Sequence, residues 1–141
     1  MGEALKGSCM CGAVKFSAVP ESMEYGACHC KSCRRWAAGP YMAVRCGDTF
    51  ELEDGAAIGV IQSSEWAERG FCTKCGSSIY YSVKGKPITN VSVNAFDDTS
   101  NFKFMRQVCI DEKPTHYSFA NETNNMTQAE VMALFALDGG A

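Results

Sequence analysis

The sequence lacks any long apolar run: no stretch of its 141 residues approaches the roughly 20 needed to span a bilayer. A secretory leader is also not expected, because Met1 to Lys6 holds no apolar core. A cytoplasmic location follows as the expectation. Basic excess is missing too. The chain has 13 Lys and Arg against 16 Asp and Glu, a formal charge of -3. Only Lys31, Arg34 and Arg35 lie close together, so there is no basic stripe and a nucleic-acid partner is not expected. Membrane partners are not expected either. Repeats, low-complexity tracts and linkers are absent, and the length is that of about one domain, here taken as residues 1–141.

What is plentiful is cysteine. There are nine: Cys9, Cys11, Cys28, Cys30, Cys33, Cys46, Cys72, Cys75 and Cys109. An odd number cannot form a complete disulfide framework, and a reducing compartment opposes one further. Seven fall in tight groups separated by one or two residues, whereas Cys46 and Cys109 stand alone. Tight grouping in such a chain points to metal ligation rather than crosslinking.

The rest reads as short strands broken by turn residues. Ala13 to Val19 alternates, with Val14 and Phe16 on one side, and Pro20 ends it. Tyr41 to Cys46 and Thr49 to Leu52 flank Gly47-Asp48, a hairpin signal. Ala57 to Gln62, Ser78 to Val83, Ile88 to Val93 and Phe104 to Ile110 are further strand candidates, and Lys84-Gly85-Lys86-Pro87 makes a turn. Two helices are expected. One is a short turn over Cys30 to Trp36. The other spans Thr127 to Leu137, with Thr127 and Glu130 as a capping box, Val131, Leu134 and Phe135 on one face, and Gly139-Gly140 as the stop. The polar stretch Asn94 to Asn101 reads as a surface loop. Many short strands with one terminal helix define a mostly-β class.

Cys9-x-Cys11 and Cys72-x-x-Cys75 each supply two thiolates. Two such pairs complete the tetrahedral set that a structural zinc takes. Gly12 and Gly76 follow the pairs and let the backbone curl. Joining segments some 60 residues apart would contribute to folding directly. The alternative is two redox or buried cysteine pairs. Cys28-His29-Cys30-Lys31-Ser32-Cys33 differs, offering three thiolates within six residues. Three protein ligands and an open fourth position are what catalytic zinc sites use. The alternative is a second closed site completed by His29, Cys46 or Cys109. His29 lies between two ligands and is expected to face away from the ion. Core packing is the default for Cys46 and Cys109, and a surface position for His116. Trp36, Phe71, Tyr80 and Tyr81 are candidates to wall a pocket or to fill the core. Arg34, Arg35, Arg69 and Lys74 could receive the carboxylates of an anionic thiol substrate, or simply be solvated.

Three ordered motifs carry a resemblance: Gly7-Ser8-Cys9-Met10-Cys11-Gly12-Ala13-Val14, Cys28-His29-Cys30-Lys31-Ser32-Cys33-Arg34-Arg35 and Phe71-Cys72-Thr73-Lys74-Cys75-Gly76-Ser77. From Gly7 to Ser77 the chain resembles the glutathione-dependent formaldehyde-activating enzyme family, also called the centromere protein V family. The resemblance implies an Mss4-like β-tent of short antiparallel strands with a C-terminal helix. It implies a structural zinc at Cys9, Cys11, Cys72 and Cys75, and a weakly held catalytic zinc at Cys28, Cys30 and Cys33. It also implies carbon–sulfur lyase activity that joins formaldehyde to a small-molecule thiol, glutathione, as S-(hydroxymethyl)glutathione, or reverses that step. Two other readings stand beside it: a non-enzymatic zinc-stabilised binding module, and a redox or metal sensor. The chain departs from the family at three places. Phe96-Asp97-Asp98-Thr99 stands where the family has Leu-Asp-Asp-Pro, Cys109 where it has a histidine, and His116 where it has a tryptophan.

Overall fold

Among the described residues, short β-branched and aromatic runs between turn residues form eleven strands, and both expected helical segments form. A computed structural model describes residues 2–137, and their side chains as far as Leu134. In order the elements are β1 (Leu5–Ser8), β2 (Lys15–Ala18), β3 (Glu24–Cys28), α1 (Lys31–Ala37), β4 (Tyr41–Arg45), β5 (Glu51–Leu52), β6 (Ile58–Gln62), β7 (Ala67–Cys72), β8 (Ser78–Val83), β9 (Ile88–Ser92), β10 (Lys103–Val108), β11 (Asn124–Met126) and α2 (Gln128–Leu137). Single 3-10 turns follow β9 at Val93–Ala95 and β10 at Ile110–Glu112. The class is mostly β. Among the described residues no helix is long and apolar enough to cross a membrane.

The chain divides into two compact units, Met1–Met23 with Ala43–Phe102, and Glu24–Met42 with Lys103–Ala141. The first holds an antiparallel sheet in the order β1-β2-β5 and an antiparallel run β4-β9-β8-β7-β6. Phe16 of β2 is fully buried, with Phe50 at 5.2 Å and Phe96 at 5.4 Å between ring centroids. Val14, Val44, Ile79 and Val91 are buried as well. Phe96 therefore anchors the otherwise exposed stretch after β9, which the sequence read as loop. Gly70 of β7 has no room for a Cβ, because the Tyr80 ring of β8 lies against it. The Lys84 to Pro87 turn joins β8 to β9 as expected, with Gly85 at φ 72°.

The hairpin expected around Gly47-Asp48 does not form: β4 pairs with β9, and β5 pairs with β2. Thr49 explains the departure. Its hydroxyl donates to the Cys46 carbonyl at 2.7 Å and accepts from the Val19 N–H at 2.8 Å. The chain is thereby steered to β2 instead of folding back on β4.

In the second unit β10 lies between β3 and β11, and both pairings are parallel rather than antiparallel. Parallel neighbours need a long crossover, which between β3 and β10 is the whole of residues 29–102. Tyr25, Phe104 and Phe119 pack together, at 5.5 Å and 4.9 Å. The α2 capping box is present: the Thr127 N–H donates to Glu130 Oε1, and the Glu130 N–H to Thr127 Oγ1. Val131 is half-buried and Leu134 is exposed. Phe135 and the Gly139-Gly140 stop lie outside the described side chains and residues.

Candidate metal centres

The first centre is built from two turns of the first unit. Cys9 and Cys11 sit in the turn after β1, Cys72 ends β7, and Cys75 sits in the turn that follows. Gly12 and Gly76 close those turns at φ 83° and 82°, a left-handed geometry that favours glycine. All four sulfurs lie within 4.8 Å of one another. Cys9 and Cys11 are 3.7 Å apart, and Cys11 and Cys72 are 3.8 Å apart. A tetrahedral zinc with bonds of about 2.3 Å sets its sulfurs about 3.8 Å apart. Both the donor chemistry and the spacing therefore fit that ion.

Backbone groups prepare the thiolates. The Val14 N–H donates to Cys9 Sγ at 3.2 Å, and the Lys74 and Cys75 N–H groups to Cys72 Sγ at 3.4 Å. Ser77 lies 3.1 Å from Cys75 Sγ and accepts from the Met10 N–H at 3.1 Å, tying the two turns together. The Ser77 hydroxyl and backbone hold the Cys75 thiol down to about 5. Met10, between the first two ligands, is 83% exposed.

The second centre lies in the second unit. Cys28 ends β3, Cys30 is the N-cap of α1, and Cys33 is in the first turn of that helix. Their three sulfurs lie within 4.8 Å of one another, and an all-thiol set again fits zinc. Cys30 is the hub. The Cys109, Cys28 and Cys33 thiols all hydrogen-bond to it, and the Cys33 N–H donates at 3.3 Å. These contacts push the Cys30 thiol far below its ordinary value, while Cys28 and Cys33 are pushed up by the same sharing.

His29 is completely buried. Its Nε2 lies 2.7 Å from Gln107 Oε1, and its Nδ1 lies 2.9 Å from the Tyr117 hydroxyl. Gln107 Nε2 donates to Thr123 Oγ1 at 2.8 Å, which fixes the amide orientation. His29 Nε2–H therefore donates to Gln107, and Nδ1 accepts from Tyr117. Burial, then the charges of Lys113 and Arg34, hold this imidazole below its ordinary value despite the opposing bond to Gln107. With both nitrogens engaged, His29 does not complete the cluster. It faces away from the thiols, as its place between two of them requires. Its backbone is held as well: its N–H donates to the Val108 carbonyl at 3.1 Å, and its carbonyl accepts from Arg34 Nε at 2.8 Å.

The remaining candidates separate. Cys46 is buried in the first unit, with its thiol donating to the Val44 carbonyl at 3.7 Å. Burial, with the charge of Glu21, pushes it up to about 12, so Cys46 is a core thiol as expected. Cys109 is buried but is not simple packing, because its thiol meets those of Cys28 and Cys30. His116 is exposed as expected. Of the basic residues, Arg34 is committed to the His29 carbonyl, and Arg69 is buried with its guanidinium 4.7 Å from the Tyr81 ring. Arg35 and Lys74 are exposed. The aromatic candidates pack: Trp36 on Tyr41 at 5.0 Å, and Tyr80 on Phe50 at 5.0 Å.

Sequence reasoning missed Gln107, Tyr117, Thr123 and Glu112. The carboxylate of Glu112 accepts from the Lys31 N–H at 3.3 Å, its charge reaches Cys109, and its Oε2 is buried with no hydrogen-bond partner among the described residues. None of these four lies in a cysteine motif, and only the parallel pairing of β10 with β3 brings them to one.

Fold and site together define a small β-rich protein with two clusters of thiols that could each hold a metal ion. The chain belongs to the glutathione-dependent formaldehyde-activating enzyme family, whose model matches residues 4–112. It is similar to an uncharacterized lyase of Schizosaccharomyces pombe, 38% identical over 128 residues that cover 90% of this chain and 93% of the relative. A Halomonas elongata protein named for the family's formaldehyde-activating activity is 32% identical over 85 residues, 54% of each chain. A crystal structure of a Rhodobacter sphaeroides protein shares the fold, with a TM-score of 0.58 and 24% identity over 66% of this chain and 88% of that one.

Proposed function

We propose that this chain is a zinc-dependent carbon–sulfur lyase that makes or breaks an S-(hydroxymethyl) thiol adduct, with formaldehyde as the carbonyl and glutathione as the thiol. The observation that carries the reading is the cluster of Cys28, Cys30 and Cys33, backed by buried polar groups rather than by backbone alone. These three residues would hold the catalytic zinc, and Cys9, Cys11, Cys72 and Cys75 the structural one. A zinc bound there would lower the pKa of a substrate thiol and polarise a carbonyl oxygen. The chain's own part is positional. His29, pinned at both nitrogens, fixes the loop that presents Cys28 and Cys30. Glu112 Oε2 offers an acceptor for a thiol proton.

The reaction balances without redox chemistry. The thiol sulfur bonds to the formaldehyde carbon, the carbonyl π pair moves onto oxygen, and the thiol proton ends there. Family membership and the lyase name of the yeast relative support the reading. A reducing, cytoplasmic setting keeps such thiols available. The test is exchange NMR of formaldehyde with glutathione, run with the zinc-loaded protein, its Cys30→Ser variant and buffer alone. Exchange above the buffer rate in the wild type, lost in Cys30→Ser, is expected. Buffer rates in both would defeat the assignment.

A further inference from the structure

We propose that Arg34 selects the thiol substrate at the second centre: its guanidinium receives a carboxylate of that thiol, so thiols carrying a carboxylate are preferred to neutral ones. The inference rests on the reading above that the Cys28, Cys30 and Cys33 cluster works on a thiol, and it deepens that reading by naming the group recognised.

Three attachments hold Arg34 at the cluster. It directly follows Cys33 in α1, its N–H donates to the Cys30 carbonyl at 2.9 Å, and its Nε donates to the His29 carbonyl at 2.8 Å. His29 is the residue between Cys28 and Cys30, so the guanidinium stands beside the loop that presents both thiols. The bond to His29 uses one donor of the guanidinium's five. Among the described residues it is the only hydrogen bond of that side chain, and no carboxylate forms an ion pair with it. Arg34 is half-buried, yet neither Nη atom is both buried and unbonded, so the fork opens to solvent.

Holding one carbonyl does not require an arginine, since any side chain with one donor of that reach would do it. The spare part is a planar fork whose two Nη groups match the two oxygens of a carboxylate. Because Nε is already pinned, the fork loses little freedom on receiving one. A half-buried positive charge with no acidic partner also gains more from an anion than a fully solvated one does. The other basic side chains of the second unit do not share these features. Lys113 Nζ is spent on the Pro114 and Tyr117 carbonyls and the Ser118 hydroxyl. Arg106 Nη2 bonds the Glu24 carbonyl, at the end of β3 away from Cys28. Lys31, Arg35 and Lys103 are exposed.

The test is calorimetric titration of the zinc-loaded protein, at neutral pH, with mercaptopropionate and with mercaptoethanol, which share a thiol and differ in the carboxylate. In the wild type mercaptopropionate should bind at least about tenfold more tightly, the scale of a charge-assisted pair. In Arg34→Gln the two affinities should become alike. Arg34→Lys keeps the charge and a donor for the His29 carbonyl but not the fork, and should retain only part of the preference. Equal affinities in the wild type would overturn the proposal. So would a parallel loss for both thiols with their ratio kept, because a residue that only braces the His29 carbonyl weakens every ligand alike. An undiminished preference in either variant counts against it in the same way. Binding of neither thiol would overturn it together with the thiol reading. A preference that follows Arg34, found beside formaldehyde exchange at the buffer rate, would sink the lyase assignment and leave this one standing.

Discussion

The two cysteine centres use the same side chain in different surroundings. At the first, two glycine-closed turns of one antiparallel unit bring four sulfurs together, and backbone N–H groups with Ser77 do most of the preparing. At the second, three sulfurs come from one strand end and one helix start, behind which sit His29, Gln107, Tyr117 and Thr123 in a hydrogen-bonded chain. A complete ligand set needs little beyond its own turns. A set that is incomplete within its motif needs a second layer of polar residues to hold its geometry. That layer also makes it the place where a reaction can be tuned.

The sharpest way to break the comparison is Cys72→Ser. If the first centre is a folding element, losing it should cost more than about 5 kcal/mol, enough to unfold a domain of ordinary stability. Circular dichroism melting with zinc present checks this, and a variant that melts with the wild type would remove the structural role. His29→Phe should cost about 2–4 kcal/mol, since Gln107 and Tyr117 each lose a buried partner. It should also weaken metal binding at the second centre by roughly 10–100-fold and leave the first unchanged. Equal weakening at both centres would show that the His29 network does not belong to the second.

Chelator competition should release the two ions in two phases. The second cluster offers three thiols against four at the first, so the second centre should yield its ion more readily. Single-phase release would cancel that distinction. The smallest effect is expected at Cys46, which belongs to neither centre. Burial keeps its proton on to about pH 12 against 9.0 for a free thiol. Above pH 9 the unfolded chain sheds this proton while the fold retains it. The stability contribution is therefore complete below pH 9 and is lost as pH rises toward 12. Cys46→Ala should flatten that part of a denaturation-against-pH profile while metal content stays the same. A changed metal content would place Cys46 in a centre after all.

Much of this was legible in the chain. Strand β8, the short helix after the second cysteine motif and the α2 capping box follow from local pattern, because each depends on residues within a few positions of one another. The four-cysteine centre was legible for a different reason. Its ligands come in close pairs, and each pair carries the glycine its turn demands. The hairpin at Gly47-Asp48 was misread because Thr49 bonds to Val19, thirty residues earlier, and no local rule contains that contact.

By itself, then, the sequence determined that the chain is mostly β and that it offers two thiol clusters, since strand alternation and ligand spacing are short-range properties. Tertiary structure alone decided what stands around the second cluster. The parallel pairing of β10 with β3 spans a crossover of residues 29–102, and it is this pairing that sets Gln107 against His29 and Cys109 against Cys28 and Cys30. A contact closed over that much intervening chain leaves no periodicity in the sequence, so the residues that complete the site emerge only once the strands are in register.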